Sequence, residues 1–76
     1  MIRFLTVVQL LASSGVNHDR EFEFYGCPLR GVVIDYEHEQ HCRDNSQAYV
    51  VRFSCRGETT IRMRVCESDL KVIGNR

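Results

Sequence analysis

Three arginines at alternating positions, Arg52, Arg62 and Arg64, are the residues of this 76-residue chain best suited to chemistry, and that chemistry is recognition. A guanidinium stays charged and presents a planar fork of donors that matches a carboxylate or a phosphate. The surrounding stretch, residues 47–65, reads QAYVVRFSCRGETTIRMRV. Tyr49, Val51 and Phe53 alternate on one side, and Ile61, Met63 and Val65 do the same in the second half, so the pattern predicts a β-hairpin with the arginines on the opposite face. A two-residue turn would send one apolar set to solvent. A loop of three or five residues around Gly57 instead pairs Phe53 with Ile61, Val51 with Met63 and Tyr49 with Val65. This register sets Arg52 directly across from Arg62, where like charges are mildly destabilising. Arg30 extends the stripe. Either Glu21, Glu23, Glu58 or Glu67 neutralises it from a neighbouring strand, or the stripe is a contact site for phosphates or for an acidic protein surface.

A second candidate contact lies around Tyr36, Glu37, His38 and His41. Tyr25 and Tyr36 suit the rim of a groove, because tyrosine tolerates one apolar and one wet side. Residues 37–46 have no apolar period and read as a long exposed loop. His38, His41, Cys42 and Asp44 are of metal-ligating types, but the cysteines stand singly, 11 to 15 residues apart, without the paired spacing of structural zinc sites. No metal or other cofactor is expected. His41 beside Cys42 in sequence does not make a nucleophile–base pair, Glu37 and Glu39 lack an enclosing pocket, and no glycine pattern for phosphate occurs. The chain therefore reads as non-catalytic.

Ten basic and ten acidic residues cancel, with a pI of about 6.8, so the chain lacks the basic excess of a dedicated nucleic-acid binder. Its length allows a single domain, residues 1–76, with a small core. Of the three ways to pair four cysteines, the hairpin removes one: Cys55 lies beside the turn and Cys66 at the open end, about seven residues apart at roughly 3.3 Å each. Cys27 and Cys42 remain pairable with either. The expectation is four reduced thiols in a cytoplasmic protein. The apolar run 4–12 looks like the core of a secretory signal but is read as part of the fold, and it falls far short of the roughly 20 residues that span a bilayer.

The elements that must position these residues follow in chain order. Thr6 and Gln9 form a capping-box pattern and Leu5 can staple on Leu10, which predicts a helix from residue 6 to about 13 that ends at Gly15, after an extended lead over 2–4. Together these make up residues 1–15. Residues 17–20 form a polar connector. Residues 21–25, EFEFY, alternate as a half-buried strand with Phe22 and Phe24 inward, and 26–28 make a turn. Residues 29–36 read as a strand covered on both sides, 67–70 as a helical turn, and Val72 and Ile73 as a last strand. The expected fold class is α+β, mainly β: a short N-terminal helix followed by a five-stranded, strongly bent antiparallel sheet that closes into a small barrel.

The succession of the Gly31-Val32-Val33-Ile34 strand, polar loop, Tyr-Val-Val-Arg-Phe strand, Gly57 turn and Glu-Ser-Asp-Leu turn resembles the small SH3-like barrels borne by phages and prophages, over residues 21–73. The resemblance implies an interaction module that binds a host protein or nucleoprotein complex, such as an anti-defence inhibitor of the anti-CRISPR kind. The alternative is an SH3-like module that binds nucleic acid through the Arg52, Arg62 and Arg64 face. Zero net charge favours a protein partner. No membrane partner is expected, and self-association through edge strands stays open.

Overall fold

The computed structural model describes residues 2–11 and 20–75. Five antiparallel strands form one sheet: β1 (Thr6–Leu10), β2 (Arg30–His41), β3 (Gln47–Ser54), β4 (Thr60–Cys66) and β5 (Leu70–Asn75), in the order β4-β3-β2-β1-β5. One short helix, α1 (Arg20–Tyr25), lies between β1 and β2, and tight 3-10 turns at Arg56–Glu58 and Glu67–Asp69 flank β4. The sheet is open, with β4 and β5 at its two edges. The expected closure of a strongly bent sheet into an SH3-like barrel is thus overturned, and with it the resemblance that rested on it.

The expected N-terminal helix is also corrected. Thr6, Val8 and Leu10 are buried while Val7 and Gln9 are half-buried, the period of two that a strand requires. β1 is hydrogen-bonded to β2 on one side and to β5 on the other, so two ladders override the helix-start pattern at Thr6 and Gln9. The expected helix end at Gly15 lies outside the described residues. Conversely, the alternating EFEFY segment is not a strand. It forms α1, where about 100° per residue turns Phe24 away from Phe22. Phe22 is buried and Phe24 is 81% exposed. Gly26, at φ +64°, ends this helix, and the Cys27 amide reaches back to the Phe22 carbonyl at 2.8 Å in the bond pattern of a Schellman cap.

The hairpin has the register its sequence predicts, with Phe53 opposite Ile61, Val51 opposite Met63 and Tyr49 opposite Val65. The loop runs over the five residues 55–59, with Gly57 at φ +66°. Val8, Val33, Tyr49, Val51 and Phe53 are fully buried on the inner face, and the Phe22 ring meets Phe53 edge-to-face at 4.8 Å. Gly31 permits this packing, because a Cβ there would lie 2.7 Å from Val51 Cγ1 and 2.9 Å from the Phe53 ring.

All four cysteines are paired, Cys27 with Cys55 and Cys42 with Cys66, which corrects the expectation of free thiols. The first bridge ties the end of α1 to the closed end of the hairpin. The second ties the chain after β2 to the hairpin's open end. Residues 37–46 are not one long loop. β2 continues through His41, a turn with Asn45 at φ +63° follows, and Cys42 is buried.

Candidate functional site

The outer face of the sheet collects the arginines. Arg52 on β3 lies directly across from Arg62 on β4, and Arg64 lies two residues further along β4, across from Val50. Arg62 and Arg64 are exposed and Arg52 is half-buried. On the other side of Arg52 stands Val32 of β2, which pairs in turn with Val7 of β1. One end of the face is closed by Arg30, whose Nε donates to Gln9 Oε1 at 3.2 Å. Gln9 also pairs with Lys71 of β5. The sequence reading missed Lys71 because the strand that links it to Arg30, β1, carries a helix-start pattern.

The arginines gather at one end of this face, and Asp35 and Glu37 lie further along β2, across from Val50 and Ala48. Among the described residues no carboxylate forms an ion pair with Arg52, Arg62 or Arg64, so neither Glu58 nor Glu67 neutralises the stripe. The acid in nearest register is Asp35, which faces Val50 from β2. It lies diagonal to Arg52 on the adjacent strand and two strands from Arg64, forms no ion pair with either, and its Oδ1 accepts the Tyr36 amide at 2.8 Å. Val7, Val32 and Val50 are half-buried between the cations. A shallow recess of about 250 Å³, lined by Val7, Pro28, Arg30, Val32, Arg52 and Ser54, opens on the same face. An apolar floor with a cationic rim accommodates a partner that offers carboxylates or phosphates around a small apolar group.

The remaining predicted contacts lie elsewhere. Tyr36 pairs with Tyr49 on the inner face, its hydroxyl donates to the Ile2 carbonyl at 2.7 Å, and its ring stacks on Phe4 at 4.5 Å. Parity misleads here because the β2–β3 register shifts between Val33 and Asp35, an irregularity that turns Tyr36 to the core side. Tyr36 therefore does not join the arginines. Glu37 pairs with Ala48, and its carbonyl accepts Gln47 Nε2 at 3.0 Å. His38 and His41 lie beyond it on β2, where a second register shift falls between Glu37 and His41, which pairs with Gln47.

Two other polar centres serve the fold. Tyr49 accepts the Ile2 amide at 2.9 Å and donates to Glu67 Oε1 at 3.1 Å, and burial raises its phenol above the ordinary value. Near the Cys42–Cys66 bridge, the Ser46 and Ser68 hydroxyls hold the exposed Asp44 carboxyl down at about 2, with help from the Ser46 amide. With every cysteine sulfur in a disulfide, none is available as a thiolate ligand or nucleophile. Among the described residues no group of three metal-ligating side chains converges. No described helix is long and apolar enough to cross a membrane.

Comparisons with family models, with curated proteins and with solved structures find no match to this chain.

Proposed function

We propose that the protein is a non-catalytic interaction module that binds an acidic surface of a partner protein through the outer sheet face, with Arg52, Arg62 and Arg64 as its main contacts. The observation that carries this reading is the cross-strand pair of Arg52 and Arg62, neither of which forms an ion pair with a carboxylate among the described residues. Opposing like charges cost stability in the isolated protein, and a partner's carboxylates between them remove that cost. The half-buried Val32 and Val50 between the cations fit a protein surface better than a bare sugar-phosphate backbone.

The two disulfides bear on where this happens. Structural disulfides persist in secreted, periplasmic and lumenal settings, so they weigh towards an oxidising compartment and against the cytoplasm expected from the sequence. Such a setting also disfavours an intracellular nucleic acid as the partner. Poly-glutamate and a DNA oligonucleotide of equal charge, titrated in parallel against labelled protein at two salt concentrations, separate the two readings. Amide shifts centred on Arg52, Arg62 and Arg64 with poly-glutamate, lost in Arg62→Glu, are expected. Tighter and more salt-sensitive binding of the oligonucleotide would instead assign the face to nucleic acid.

A further inference from the structure

Building on this proposed face, we infer that the partner segment is an extended strand of alternating acidic and apolar residues that adds to the free edge of β4. Among the described residues β4 is hydrogen-bonded to β3 alone and ends the sheet. An added strand would meet a different chemistry on each face. On the outer face it lies beside Arg62 and Arg64, both exposed and without a carboxylate partner among the described residues. On the inner face it lies beside Ile61 and Met63, which pack on the core yet remain partly exposed. Side chains of a strand alternate between faces, so a segment that satisfies both must alternate acid with apolar in the same register. Edge addition supplies main-chain hydrogen bonds for affinity, and the alternation supplies the selection.

The edge charges also disfavour a competing occupant, a second copy of β4. In a two-fold antiparallel pairing of two β4 strands centred on Met63, Arg62 of one copy falls opposite Arg64 of the other, and directly opposed like charges are destabilising. A guarded edge carries charge for that same reason. Here, however, the charges occupy two successive outward positions, while the inward Ile61 and Met63 stay partly open and Val65 is buried. The other edge, β5, has Lys71 as its one charged residue and so lacks a pattern that selects acids.

The test uses a blocked peptide of alternating glutamate and valine, the same composition in scrambled order, and the alternating peptide with every second amide N-methylated. The alternating peptide is expected to bind, to protect β4 amides from hydrogen exchange, and to weaken by roughly tenfold or more on scrambling, on N-methylation and in Arg62→Glu or Arg64→Gln. Equal binding of the N-methylated peptide, still lost in Arg62→Glu, overturns strand addition and leaves the arginine face standing. Equal binding of the scrambled peptide overturns the alternation. Binding that survives both arginine variants, each checked by circular dichroism to be folded, overturns the face and the strand together.

Discussion

The two faces of this sheet are built from the same strands and obey opposite rules. Along β3 the inner side carries Tyr49, Val51 and Phe53, all fully buried, and the outer side passes from a buried Ala48 to the half-buried Val50 and Arg52. Inner residues find partners within the chain: Phe53 meets Phe22, and Tyr49 meets Ile2 and Glu67. On the outer side Arg52 meets Arg62. A face whose groups complete one another is explained by folding. A face that sets like charges in register is not, and this difference is the ground on which recognition is proposed for the outer side.

The inner face should break first. Phe53→Ala removes a fully buried ring from between Phe22 and Ile61, and large aromatic deletions of this kind cost about 3–5 kcal/mol. That is a large share of the roughly 5–15 kcal/mol that holds a typical domain together. Urea unfolding should show a lower midpoint with little change in slope. A loss below about 1 kcal/mol would mean that the packing around Phe53 is not what holds the fold.

The disulfides come next, because they brace both ends of the hairpin that carries both faces. Each closes a sizeable stretch, with a sequence separation of 28 between Cys27 and Cys55 and of 24 between Cys42 and Cys66. Replacing either pair by alanine should cost about 2–4 kcal/mol, chiefly by freeing the unfolded chain. Thermal unfolding of the two double variants, with and without reductant, checks this. Reductant should lower the midpoint of the unaltered protein further than that of either variant, since it breaks two bridges there and one in each variant.

How legible this was depended on whether local pattern and tertiary pairing agreed. In the hairpin they agreed: apolar alternation on both arms and one glycine in the loop left a single register that buries both sets, and Phe53 does face Ile61. At Thr6–Leu10 they conflicted. The helix-start signature was present in the residues, but the segment lies between β2 and β5, and that placement is visible in no window of local sequence. In the helix over Arg20–Tyr25 a strand-like alternation gave way to a single anchor, Phe22. The arginine stripe was legible because it rides on the hairpin, whereas Tyr36 was misplaced by a register shift that no residue type announces. The cysteines were half legible: hairpin geometry removes the Cys55–Cys66 pair, and the choice between the two remaining pairings needs the position of α1.

The outer face should respond least in stability. Arg62→Glu changes an exposed side chain and turns the opposed Arg52 pair into one of opposite charge. Cross-strand terms of this kind are worth roughly 0.2–1 kcal/mol, so the variant should be as stable as the unaltered protein or slightly more so. Because both side chains reach solvent, salt should shrink the gain. A double-mutant cycle with Arg52→Glu sharpens the point. Each single reversal makes an attractive pair, whereas the double reversal restores a repulsive one between two glutamates, so the cycle should be clearly non-additive. Additive effects would mean that the two guanidiniums do not feel each other across the strands, which would remove the physical argument that an acidic partner is needed between them.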